Sequence, residues 1–129
     1  MRVHSFNHFN LRAPQPLLDE LKDFYVDVVG LKPGWRPPFA FPGYWLYLGD
    51  DAVLHLVETP AGGPESGPSA GTFNHVAFSC SGLLASEARL QALGVQYTKS
   101  TVPGTTLQQL FVQDPSGNGV EFSFASSEA

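Results

Sequence analysis

Phe6-Asn7-His8-Phe9 and Phe73-Asn74-His75-Val76 share a tripeptide at a separation of 67 positions (75 − 8), and the chain repeats itself around them. Each stretch opens an alternating, strand-like run, and each run leads into a helical pattern. The first helix is expected over Pro16 to Val29, where Leu17, Leu18, Leu21, Phe24, Tyr25 and Val28 recur at i, i+3, i+4 and i+7. Pro16 suits a first helical turn and Gly30 a helix stop. The second helix is expected over Leu83 to Leu93, with Leu83, Leu84, Ala88, Leu90 and Leu93 as its apolar face, Ser81 as its cap and Gly94 as its stop. Three strand-like runs follow each helix: Gly34–Arg36, Gly43–Leu48 and Ala52–Glu58 in the first half, and Val95–Val102, Thr105–Gln113 and Gly119–Phe124 in the second. Asp50-Asp51 and Asp114-Pro115-Ser116-Gly117-Asn118-Gly119 carry the turn chemistry that closes the last hairpin of each half.

The order β-α-β-β-β therefore occurs twice. The expectation is a single domain over 1–129, with one module over about 3–58, a second over about 72–125, and a linker over 59–71 holding four glycines and three prolines. The fold class expected is α+β. The 129 residues suffice for one domain, and 43% hydrophobic content excludes wholesale disorder. Ten Phe, four Tyr and two Trp beside thirteen Gly and eleven Pro point to short strands around an aromatic cavity. Seven basic residues against twelve acidic ones give a net charge of −5, which excludes the basic footprint of a nucleic-acid binder. No apolar run approaches the roughly 20 residues of a membrane span. No apolar h-region follows Met1-Arg2-Val3-His4-Ser5, so no secretory leader is expected, and a lone Cys80 fits a reducing cytoplasm.

Three of the four histidines fall on the repeat. His8 and His75 are the repeated pair. In the last strand of each half stands a further metal-capable residue, His55 in Val53-Leu54-His55-Leu56-Val57 and Glu121 in Gly119-Val120-Glu121-Phe122-Ser123, 66 positions apart (121 − 55). Strand alternation sets Glu121 and Ser123 opposite Val120, Phe122 and Phe124. It sets His75, Ala77 and Ser79 opposite Val76, Phe78 and Cys80, and Phe6, His8, Asn10 and Arg12 opposite Asn7, Phe9 and Leu11. The apolar faces would pack under the helices, and the polar faces would line a cavity. A carboxylate amid strand hydrophobics is costly to bury unless paired or metal-bound, so Glu121 needs a partner. His8, His55, His75 and Glu121 make a mixed N/O set suited to one divalent ion (Zn, Fe, Mn, Ni or Co), and not to Ca²⁺ or to thiolate chemistry. His4 stands outside the pattern, on the surface or at a cavity rim.

Asn7-His8, Phe24-Tyr25 with Gly30-Leu31, His55, Asn74-His75, and Asp114-Pro115-Ser116-Gly117 ahead of Val120-Glu121 together resemble the vicinal oxygen chelate superfamily, over about Val3 to Phe124. That superfamily includes glyoxalase I, bleomycin resistance proteins, epimerases and extradiol dioxygenases. The resemblance implies two βαβββ modules forming an incomplete barrel around a metal-binding cavity, with His8, His55, His75 and Glu121 on the ligand positions. It implies metal-assisted proton transfer on a small vicinal-oxygen substrate, a lyase or isomerase reaction in which His55 is ligand or base and Glu121 is catalytic. An extradiol-type dioxygenase using Fe(II) is the alternative. That family's signature carries a tyrosine ten residues ahead of the glutamate, where this chain has Phe111. A non-catalytic drug- or ligand-binding resistance protein is the further alternative, against which the intact four-residue set argues.

For the substrate, Arg12 shares a face with His8 and is either an anion-binding group or a surface arginine at a strand end. Trp35, Phe39, Phe41, Tyr44, Trp45 and Tyr47 crowd the stretch before His55. If Leu46 and Leu48 face the core, Trp45 and Tyr47 face the cavity and would contact an apolar substrate body; ordinary aromatic packing is the other reading. Gln109 shares parity with Phe111 and would also face the cavity. Pro33 to Pro42 holds four prolines and would form a lid or part of a homodimer contact. The weakly charged, aromatic-rich surface agrees with a homodimer.

Overall fold

The structure, a computed structural model, describes residues 1–2, 4–59, 73 and 75–125. The linker expected over 59–71 lies outside the described residues except for Thr59, as does Asn74. The chain divides into two compact units, Met1–Gly67 and Pro68–Ala129. The first contains β1 (Phe9–Ala13), α1 (Gln15–Phe24), a π-helical turn (Tyr25–Val29), β2 (Lys32–Gly34), β3 (Gly43–Leu48) and β4 (Asp51–Glu58). The second contains β5 (His75–Cys80), α2 (Leu83–Ala92), β6 (Thr98–Thr101), β7 (Gln108–Gln113) and β8 (Gly119–Phe124). The class is α+β, and β-α-β-β-β is written twice.

The repetition extends to strand register. The sheets run β1-β4-β3-β2 and β5-β8-β7-β6, with the first and last strands of each unit parallel and the remaining neighbours antiparallel. In the first sheet His55 is flanked by Asn10 on β1 and Trp45 on β3. In the second, Glu121 is flanked by Ala77 on β5 and Phe111 on β7. His55 and Glu121 thus hold corresponding nodes of two like sheets.

In the first unit Ala13, Leu46, Leu54 and Leu56 from the sheet are buried with Leu18, Leu21 and Tyr25 from the helical segment. Each such leucine contributes about 2 kcal/mol through burial. The Tyr44 hydroxyl adds a polar tie, donating to Asp19 Oδ1 on α1 at 2.6 Å. That bond, followed by burial, raises the phenol's pKa. Leu46, Leu54 and Leu56 occupy one sheet face, which leaves His55 and Trp45 on the other. In the second unit Leu110, Val112, Val120, Phe122 and Phe124 are buried, with Leu83 and Leu90 of α2. Glu121 and Phe111 alternate with them.

Several elements differ from the sequence expectation. The first helix does not run as one α-helix to Val29. Its last five residues widen into the π turn, and Gly30 (φ 94°) ends it, with the N–H groups of Gly30 and Leu31 both donating to the Tyr25 carbonyl at 3.1 and 2.9 Å. Ser81 does not cap α2; the N-cap is Gly82, at φ 78°. Leu84, Ala88 and Leu93 of the expected apolar face are exposed. Side-chain bonds supplement the docking of α2, since Glu87 accepts from Tyr97 and Lys99 at 3.0 Å each. The strand expected at Gly34–Arg36 ends at Gly34, and Tyr47 donates its hydroxyl to the Trp35 carbonyl at 2.5 Å just past that end. The run from Thr105 is interrupted because Thr105 turns back on Val102 through both its N–H and its hydroxyl. A bulge between Leu46 and Leu48 takes Leu48 out of the core, leaving it 56% exposed. Among the described residues, no helix is long and apolar enough to cross a membrane.

Candidate metal centre

In the first unit, His8 directly precedes β1. Its Nδ1 lies 2.6 Å from Asn7 Oδ1. With the proton on Nδ1 donated to that amide, Nε2 keeps its lone pair, which is the tautomer a metal ligand needs. The His8 ring stacks on His55 with centroids 3.7 Å apart and planes 15° apart. Trp45 stacks on His55 at 3.9 Å and 9°. Two near-parallel neighbours at those distances occupy opposite faces, so the His55 ring is held between them. Burial first, then the neighbouring His8 and Arg36, lower the His55 pKa against a raising backbone hydrogen bond at Ala52. The imidazole is therefore neutral near pH 7 and has a lone pair available.

The same sheet face continues into a cavity of about 370 Å³ lined by Asn10, Arg12, Phe41, Val57 and Glu58. Arg12 is the register partner of Val57, two places beyond the Asn10–His55 pair. Trp45 lies against His55 as alternation expects, and Tyr47 commits its hydroxyl to Trp35.

In the second unit, His75 opens β5 and Glu121 sits in β8. His75 Nε2 is 3.5 Å from Glu121 Oε1. The carboxylate side chain is 12% exposed and the imidazole 43%. The partner that Glu121 requires is therefore present. Phe111 stands opposite Glu121, and Gln109 on the same strand face accepts from the Ser100 hydroxyl at 3.2 Å. Cys80 is part-buried, and burial pushes its thiol pKa up, which keeps it protonated. His4 is exposed.

The structure thus brings His8 to His55 and His75 to Glu121. Within either unit, no group of three or more His, Cys, Asp or Glu side chains assembles among the described residues. The donor chemistry fits a divalent transition ion: imidazoles, one of them oriented by Asn7, and a largely buried carboxylate beside another. Sequence reading missed the role of Asn7, which orients His8, and that of Phe41 as a lining residue. The signal for Asn7 was present, because the repeated unit is Asn-His and not histidine alone. Parity set Asn10 on the face of His8 and Arg12, and Asn10 lines the cavity with Arg12.

A family model described as "Glyoxalase/Bleomycin resistance protein/Dioxygenase superfamily" matches residues 5–122. A curated relative, "Glyoxylase I 4" of Arabidopsis thaliana, is 31% identical over 94% of this chain and 71% of its own length. Among solved structures, a putative glyoxalase family protein from Bacillus anthracis is similar with a TM-score of 0.75 at 20% identity, covering 97% of this chain and 98% of that one. A lactoylglutathione lyase from Agrobacterium tumefaciens gives a TM-score of 0.67 at 20% identity and covers 98% of both chains. At such identities the structural likeness speaks for the fold.

Proposed function

The chain belongs to the Glyoxalase/Bleomycin resistance protein/Dioxygenase superfamily, and from that premise we propose that it is a cytoplasmic, homodimeric enzyme dependent on one divalent metal ion. Its substrate is a small molecule with vicinal oxygens, and its reaction is a glyoxalase- or epimerase-like proton transfer, as a lyase or isomerase. The observation that carries this reading is the shared sheet node: His55 and Glu121 stand at the same register position of two like sheets, His55 with His8 from just before β1 beside it and Glu121 with His75 from the start of β5.

In this reading His8, His55, His75 and Glu121 hold the ion, which is Zn, Fe, Mn, Ni or Co. When bound, such an ion supplies a Lewis acid that polarises the substrate oxygens it chelates. The chain supplies the rest. Asn7 fixes the tautomer of His8. Trp45 fixes the ring plane of His55. Arg12 takes an anionic group of the substrate, with Trp45, Tyr47 and Gln109 as further substrate contacts. The proton leaves one substrate carbon for the Glu121 carboxylate or the His55 imidazole and is returned at the neighbouring atom, so no oxidant is consumed.

The ring-cleaving alternative ranks second because Phe111, opposite Glu121, offers no phenol at that register. Solvent exchange separates the two. The metal-loaded protein is incubated in D₂O with a 2-oxoaldehyde hemithioacetal, and separately with catechol and oxygen. Deuterium enters the product carbon in the first mixture, and Glu121→Gln slows the reaction by about 10² or more. A ring-cleavage product in the second mixture without exchange in the first would overturn the proton-transfer reading.

A further inference from the structure

The cavity of the first unit has two kinds of wall. Asn10 and Arg12 on β1 and Val57 and Glu58 on β4 stand on the sheet, whose ladder fixes them. Phe41 belongs to the segment between β2 and β3, outside any strand. Arg36 holds it there. The Arg36 guanidinium lies 5.0 Å from the Phe39 ring centre and 5.2 Å from that of Phe41. Nη2 donates to the Phe41 carbonyl at 2.9 Å, and the two phenyl rings stack at 5.0 Å. Arg36 therefore grips both the ring and the backbone of Phe41.

Two further observations show that the segment is built around this grip. Gly43 leaves the room it needs, since a Cβ there would meet the Leu56 carbonyl at 2.2 Å and Arg36 Nη2 at 3.1 Å. Arg36 Nε is buried without a hydrogen-bond partner among the described residues, a cost that stability alone gives no reason to keep. The far end of the segment is tied by the Glu58 N–H, which donates to the Pro42 carbonyl at 3.0 Å.

We propose that Arg36 is a positioning residue that fixes Phe41 as the specificity wall of this cavity, and that the cavity takes the aromatic body of a monoanionic carboxylate. The carboxylate meets Arg12 and Asn10, the ring lies against Phe41 and Val57, and Glu58 repels a second anionic group. This rests on the reading that the His8–His55 sheet face receives the substrate.

NMR titration tests it, with the Val57 methyl signals followed as the protein is titrated with benzoate and, separately, with acetate. The wild type binds benzoate about tenfold more tightly than acetate, the share expected for a buried ring. Phe41→Ala and Arg36→Ala each reduce that preference to about twofold or less, because benzoate loses more affinity than acetate does. Arg36→Lys, which keeps the cation but not the planar fork, restores part of it. A general loss of fold weakens both ligands together and leaves the ratio alone, so the ratio is the decisive readout. No preference for benzoate in the wild type, or an unchanged preference in either Phe41→Ala or Arg36→Ala, overturns the inference. Arg12→Ala tests the underlying reading separately, because it weakens both anions. Unchanged binding in Arg12→Ala overturns that reading and the inference with it, whereas a loss there with an unchanged preference in the other two variants overturns the inference alone.

Discussion

His55 sits between two rings, and that arrangement sets what each neighbour does. His8 covers one face and Trp45 the other, and a backbone hydrogen bond at Ala52 engages the edge, so the imidazole cannot rotate without breaking a stack. His8 is in turn fixed by Asn7. We expect Asn7→Ala to weaken metal binding by about 10- to 100-fold, the usual cost of losing an orienting partner, as measured by competition with a chromogenic chelator. Retention of wild-type affinity would show that the amide does not set the tautomer. At this scale much of the site was legible in the sequence, because a strand has a period of two. Parity placed Glu121 opposite Val120 and Phe122, as the burial shows. Arg36 was not legible. Its hold on Phe41 runs across a loop with no period, and no pattern in the residues announces which arginine folds back on which ring.

At the scale of elements, the turn before β8 matters most for the site because it sets the register of Glu121. Asp114 is buried there. Its Oδ1 accepts from the Ser116 N–H, the Ser116 hydroxyl and the Asn118 N–H, and its Oδ2 from the Asn118 side chain, all at 2.9–3.0 Å. Asp114→Ala leaves those donors without their acceptor and should cost about 2–3 kcal/mol in denaturant unfolding; a loss below ~0.5 kcal/mol would mean that the turn holds without the carboxylate. The tie between α2 and β6 makes a pH-dependent contribution. The hydrogen bond from Lys99, then that from Tyr97, hold the Glu87 pKa below its ordinary 4.5. The folded state therefore binds fewer protons than the unfolded chain. The contribution is whole above about 4.5 and is lost as pH falls through the lower, folded value. Thermal midpoints measured from pH 6 to pH 3 should fall less steeply in Glu87→Gln than in the wild type, and equal slopes would remove Glu87 from the account.

Helix starts, stops and core strands were readable because Pro16, Gly30 and Gly94 punctuate them and alternation marks β3 and β8. The edge strands β2 and β6 were displaced by bonds that alternation does not reveal: the Tyr47 hydroxyl on the Trp35 carbonyl past β2, and the local turn of Thr105 onto Val102 past β6. The apolar face of α2 was overcalled, since leucines at helical spacing do not reveal that Leu84 stays 71% exposed.

At the scale of the whole molecule, the chain is one βαβββ pattern used twice, with sheet orders that correspond strand for strand. The repeat carries the donors: each unit brings two metal-capable side chains together and neither brings three among the described residues. That His8, His55, His75 and Glu121 together hold one divalent ion is the proposal on which the functional reading rests. The direct measurement is the metal content of anaerobically purified wild type, His8→Ala from the first unit, and His75→Ala and Glu121→Ala from the second. About one divalent ion per wild-type chain is expected, with most of it lost in all three variants. Equal metal content in the four proteins would contradict it, and so would loss confined to the variants of a single unit.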